Sequence, residues 1–89
     1  MSRTLVWLPS AEFDLEAIYD LIAADSPRAA YAFVEDIRRR CEAFADLPFM
    51  GVTHDGRMYR FTFDRRVRVH YAVTDNEVQL SRFRYLGQS

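Results

Sequence analysis

The sequence predicts an α+β fold of order β-α-α-β-β-β, with a helical hairpin packed on one face of a small antiparallel sheet. Three observations lead there. Residues 57–85, RMYRFTFDRRVRVHYAVTDNEVQLSRFRY, alternate apolar and polar side chains in three runs, as half-buried strands do. Residues 10–46 carry two apolar stripes of helical spacing, separated at Asp25-Ser26-Pro27. Ahead of them stands TLVWL, Thr4 to Leu8, a β-rich run halted by Pro9.

The first strand is therefore placed at 4–8, with no turn signal to say whether it pairs at an edge or in the middle of the sheet. The first helix is expected over 10–24. Ser10 reads as its N-cap, and Glu12 and Asp14 suit the positive end of the helix dipole. Ala11, Leu15, Ile18 and Ile22 form its apolar stripe, which Leu21 broadens. Glu12, Glu16 and Asp20 make an acidic stripe that reads as solvated, since like charges at this spacing oppose the helix slightly. The second helix is expected over 26–46, capped by Ser26 with Pro27 at the first helical position. Its buried side is Ala30, Phe33, Val34, Ile37, Cys41 and Phe44. Arg38, Arg39 and Arg40 cross its outer side, where Asp36 and Glu42 are the expected partners. Leu47-Pro48-Phe49-Met50-Gly51 ends the helix, and residues 52–56 read as a polar loop.

The three strands of the meander are placed at 57–63, 67–73 and 77–85. Tyr59, Phe61 and Phe63 share a face, as do Val67, Val69, Tyr71 and Val73. A two-residue turn at Asp75-Asn76, residue types that tolerate positive φ, pairs Val73 with Val78 and Tyr71 with Leu80. A three-residue loop at Asp64-Arg65-Arg66 pairs Phe63 with Val67 and sets Arg60 opposite His70. The third run breaks its own parity after Leu80, and one extra residue near Ser81 repairs it. With that bulge Phe83 and Tyr85 join the apolar face. Arg82 and Arg84 join Arg60, Arg68 and His70 on the open one. Four guanidiniums and an imidazole on one face is either a partner-binding surface or a solvated one.

Eighty-nine residues make one domain, 1–89, with a modest core that thirteen aromatic residues help to fill. Charge is divided unevenly. Residues 1–56 hold five arginines against ten acidic residues, and residues 57–89 hold seven arginines against three. There is no lysine. The arginine fork suits carboxylate or phosphate, so the basic half points to an acidic partner. The lone Cys41 reads as a buried thiol in a reducing cytoplasm. No signal peptide, membrane span, His/Cys metal cluster, glycine-rich phosphate loop, nucleophile elbow or repeat stands out. No cofactor or metal is expected, and the tail Leu86 to Ser89 is expected to fray.

Taken together, these residues resemble the RelE/ParE superfamily of toxins from type II toxin–antitoxin modules, on the ParE-like side, over nearly the full length. The opening WLPSAEFDLEAIYDLIAADSPRAAYAFVEDI is similar to the ParE start, in the Ala11, Asp14, Leu15 step and in the Ser26 to Ala30 link. Leu47-Pro48 with Gly51 resembles the helix exit, and RVRVHYAV resembles a signature strand in which Arg68 precedes Tyr71 by three positions.

That resemblance implies a cytoplasmic toxin that a small, acidic, partly disordered antitoxin neutralises in a hetero-oligomer. It implies DNA gyrase as the target and no catalysis. The alternative is a RelE-type, metal-independent endoribonuclease acting on messenger RNA in the ribosome. On that alternative Arg60 and Arg68 match basic positions and Tyr85 stands in as the acid, whereas Thr62 replaces a second basic residue. The expected antitoxin contacts are a helix docked near the hairpin and an acidic segment on Arg60, Arg68, His70, Arg82 and Arg84.

Overall fold

The structure is a computed structural model and describes residues 2–87 of the chain. Its elements are β1 (Thr4–Trp7), α1 (Pro9–Ala23), α2 (Pro27–Cys41), a 3₁₀ turn (Glu42–Ala45), β2 (Val52–Thr53), β3 (Met58–Phe63), β4 (Val67–Val73) and β5 (Glu77–Tyr85). They form two layers, both helices on one face of a sheet of order β1-β5-β4-β3-β2. The sheet is mixed, because β1 runs parallel to β5, from Thr4 beside Glu77 to Trp7 beside Leu80. The first strand thus takes an edge. Its apolar residues Leu5 and Trp7 extend the apolar face begun by Val78 and Leu80, and Trp7 stacks on Phe83 at 5.5 Å. The other edge holds β2, within the stretch expected to be loop; its two residues lie opposite Arg60 and Tyr59.

The meander keeps the register that parity implies. Phe63 faces Val67, Phe61 faces Val69, Arg60 faces His70, Tyr71 faces Leu80 and Val73 faces Val78. His70 lies opposite Arg82 while Tyr71 lies opposite Leu80, so Ser81 is the bulged residue. The groups that the bulge displaces are satisfied. The Ser81 hydroxyl donates to the His70 carbonyl at 3.0 Å, and the Ser81 carbonyl accepts the Ser10 hydroxyl at 2.6 Å.

The two hairpin loops exchange their expected characters. Asp75 and Asn76 do not take positive φ; Thr74 closes that loop instead, donating its N–H to the Glu77 carbonyl at 2.9 Å. Positive φ falls on Asp64 (52°) and Arg65 (61°), in a loop with no glycine. A left-handed backbone costs an ordinary L-residue about 1–2 kcal/mol. Aspartate tolerates it better than arginine does, and Asp64 is also held by Arg40 at 2.6 Å. Arg65→Gly is therefore expected to stabilise the protein by about 0.5–1 kcal/mol, seen as a higher urea midpoint at unchanged slope. An unchanged or lower midpoint would show that the loop carries no such strain.

Helix boundaries differ from expectation for local reasons. Leu8, not Ser10, is the N-cap of α1, with Pro9 at the first helical position and no side-chain cap. Ser10 is instead engaged with the bulge. Ser26 does cap α2, accepting the Ala29 N–H at 3.2 Å. The helix ends at Cys41 rather than near residue 46, because the chain tightens into the 3₁₀ turn that swings Phe44 inward. Leu21, assigned to the apolar stripe, is 59% exposed. Leu86 donates its N–H to the Arg66 carbonyl at 2.7 Å, and residues 88–89 of the tail lie outside the described residues.

Ala11, Leu15, Ile18, Val34, Ile37 and Cys41 from the hairpin bury against Val67, Val69, Tyr71, Val78 and Leu80 from the sheet. Burial pushes the Cys41 thiol up to about 12, which keeps it protonated and inert as a nucleophile. Phe44 closes the end of this core, with its ring 4.6 Å from Tyr71, 5.6 Å from Phe61 and 6.0 Å from Phe63.

Candidate functional site

Both helices cover one face of the sheet, so the other is left open along β3, β4 and β5. Strand alternation sends Met58, Arg60 and Thr62 of β3 to that side, with Arg68, His70 and Ala72 of β4 opposite them. The bulge at Ser81 restores parity for β5 and brings Arg84 beside Arg68 and Arg82 beside His70. His70 is half-buried at the centre. Its titration is held below the ordinary histidine range, first by burial and then by the charges of Arg68, Arg60, Arg82 and Arg84. The imidazole thus stays neutral to lower pH than a free one.

The arginines are not equivalent. Arg68 is steadied by Thr62, whose hydroxyl accepts its Nε–H at 3.2 Å. The threonine that departs from the nuclease pattern is therefore a support for the strand arginine. Arg82 leans over the sheet edge to Asp14 of α1, with Nε 2.7 Å and Nη2 3.4 Å from the carboxylate. Asp14 also accepts the Phe83 N–H at 3.0 Å. Beyond Leu80 the outer edge of β5 has no β1 partner, and the Asp14 carboxylate takes the place of a neighbouring strand's carbonyl. Sequence reasoning assigned Asp14 to the helix dipole and to the Ala11, Asp14, Leu15 step of the resemblance, with no strand contact; its i+3 spacing from Ala11 was the one available hint that it borders the buried face. Asp14→Ala is expected to cost about 1–2 kcal/mol, because it strips the Phe83 N–H of its acceptor. Unfolding in urea measures this, and a loss below about 0.5 kcal/mol would show that water replaces the carboxylate freely.

Tyr85 sits on the opposite face. Its ring packs edge-on to Phe33 of α2 at 6.1 Å and lines a cleft of about 430 Å³ with Arg66 and Ile22. The open-face arginines and Tyr85 are thus separated by the thickness of the sheet.

The arginine run on α2 is absorbed by the fold. Arg38 bonds Glu12 at 2.7 Å and lies 4.9 Å over Trp7; Arg39 pairs with Asp36; Arg40 bonds Asp64 at 2.6 Å and lies over Phe63. Glu42, an expected partner, takes no part in these pairs. No group of His, Cys, Asp or Glu side chains among the described residues is arranged to hold a metal, and no described helix is long and apolar enough to cross a membrane.

A helical hairpin on one sheet face and a basic, uncovered second face define a small two-layer α+β protein. The sequence profile of the ParE toxin of type II toxin–antitoxin system, parDE, matches residues 5–86. A solved structure described as a chromosomal ParDE TA system from P. aeruginosa superposes with a TM-score of 0.81 at 24% identity, covering 97% of this chain and 98% of that one. This is a likeness of fold. No curated protein sequence matches. The chain belongs to the ParE toxin family; it is the toxin component of a type II toxin–antitoxin system, and its partner is an antitoxin.

Proposed function

We propose that the protein arrests growth by inhibiting DNA gyrase in the cytoplasm, without catalysing a reaction, and that its cognate antitoxin neutralises it. Membership of the ParE toxin family over residues 5–86 carries this reading. The placement of Tyr85 supports it against the ribosome-dependent nuclease. Cutting RNA through the 2′-hydroxyl needs a proton donor and a charge stabiliser at one phosphate. Arg60 and Arg68 lie on the open face, whereas the Tyr85 ring packs against Phe33 on the helical face.

A pulse of expression in a bacterial host, with plasmid supercoiling and protein synthesis followed together, tests it. Early loss of supercoiling with a DNA-damage response, while translation continues, is the expected result. Immediate arrest of translation with cleaved messenger RNA would overturn it, and Arg68→Ala would then be expected to abolish cleavage without loss of stability.

A further inference from the structure

The open face of the sheet has a charge imbalance that the fold does not resolve. Among the described residues, five ion pairs use Arg38, Arg39, Arg40 and Arg82, and none uses Arg60, Arg68 or Arg84. Those three guanidiniums are held on adjacent strands around His70 without a carboxylate partner, with Arg60 opposite His70 and Arg68 opposite Arg84. Like charges side by side on a sheet cost stability, and the cost is recovered only when an anion arrives.

We propose that this face is the docking site of an acidic, extended peptide segment, whose carboxylates engage Arg60, Arg68 and Arg84 and whose binding carries a proton onto His70. The proposal rests on the reading of the chain as an antitoxin-bound toxin and assigns the acidic segment to that antitoxin. Two observations favour carboxylates over a nucleic-acid strand. First, the open-face positions of β3 and β4 carry no Phe, Tyr or Trp: they run Met58, Arg60 and Thr62 on β3 and Arg68, His70 and Ala72 on β4. A single strand binds through stacking on successive aromatic rings as well as phosphate contacts, and the half-buried His70 is the one ring at these positions. Second, Met58 is 47% and Val52 57% exposed, beside Arg60 and His70 around one shallow depression. Apolar side chains flanking arginines suit a peptide that mixes acidic and aliphatic residues.

The proton follows from the surroundings of His70. The charged or titratable groups that face it are Arg60 on β3, Arg68 on β4, Arg82 and Arg84 on β5, and His54 across the depression. Arg82 is already matched by Asp14. With Asp14 engaged by Arg82 and no carboxylate acting on the imidazole itself, the free toxin holds His70 neutral. Carboxylates laid over the arginines reverse that field and favour imidazolium. Binding then takes up a proton, and affinity rises as pH falls through the histidine range.

An aspartate-rich peptide titrated into the purified toxin tests both parts, with the His70 ring signals followed by NMR. The expected result is a shift of the His70 ring on binding, a titration midpoint that moves upward, and an affinity roughly fivefold tighter at about pH 5.5 than at about pH 7.5. His70→Gln is expected to bind the peptide with that pH dependence gone. The joint variant Arg60→Gln, Arg68→Gln, Arg84→Gln is expected to bind at least about tenfold more weakly at every pH. Unchanged binding by the triple variant would overturn the placement. A pH response that persists in His70→Gln would overturn the proton's assignment. Tighter binding of an oligothymidylate of equal length would overturn the peptide in favour of nucleic acid. None of these readouts involves gyrase, so their failure is distinguishable from failure of the proposed target.

Discussion

Phe44→Ala is expected to remove about 3–5 kcal/mol of stability, the cost of emptying a ring's volume that its neighbours cannot fill. Phe44 is fully buried, and its ring meets those of Phe61, Phe63 and Tyr71. Those three rings stand on two paired strands, so none can move inward without breaking register. Domains of this size have about 5–15 kcal/mol in total, and the melting temperature should fall by roughly 15–30 °C. Thermal unfolding followed by circular dichroism checks this. A loss under about 1 kcal/mol would show that the 3₁₀ turn collapses into the space and that Phe44 does not close the end of the core as its contacts imply.

The second large effect concerns Tyr71, whose side chain is fully buried yet carries a hydroxyl. That hydroxyl donates to the Pro48 carbonyl at 2.9 Å and accepts the Gly51 N–H at 3.0 Å. One oxygen thus satisfies both ends of the loop that leads into β2. Tyr71→Phe leaves both backbone groups without a partner, and about 2–3 kcal/mol is expected to be lost. Gly51 has its own constraint, because a Cβ there would lie 2.6 Å from the Arg60 carbonyl oxygen and 2.7 Å from the Tyr71 hydroxyl. The first of these is backbone within a sheet and cannot yield. Gly51→Ala should therefore cost about 2–3 kcal/mol through overpacking. The two changes share an atom, so the double variant should lose less than the sum. A double-mutant cycle in urea reads this coupling, and strict additivity would refute the shared-atom account.

Parity and turn chemistry account for how much of the fold was legible. Alternation in β3 and β4, broken once in β5, is enough to locate the bulge, since a shift of one residue sends every later side chain to the other face. The same reasoning gathers Arg60, Arg68, His70 and Arg84 on one surface. It does not see Arg82 drawn over the edge to Asp14, because that pair spans sixty-eight positions and two element types. The partner of β1 was equally hidden. A parallel pairing has no turn to announce it, and Leu5 and Trp7 would have suited either side of the meander. The 3₁₀ ending of α2 and the two residues of β2 were missed for a third reason. Both depend on the Tyr71 hydroxyl and on Phe44, which act on the loop from across the core.

The parallel pairing of β1 with β5 has a consequence for how the toxin comes into being. Thr4 to Trp7 find their seat only beside Glu77 to Leu80, far later in the chain. A nascent chain halted before residue 77 has no neighbour for its opening strand, no partner for the outer side of β4, and neither Arg82 nor Arg84. Contacts of such long sequence separation form late, after the loop-closure entropy has been met. The five-stranded sheet therefore closes only once residues 77–85 are available to join it. Loss of residues 77–85 removes the seat of the first strand together with Arg82 and Arg84.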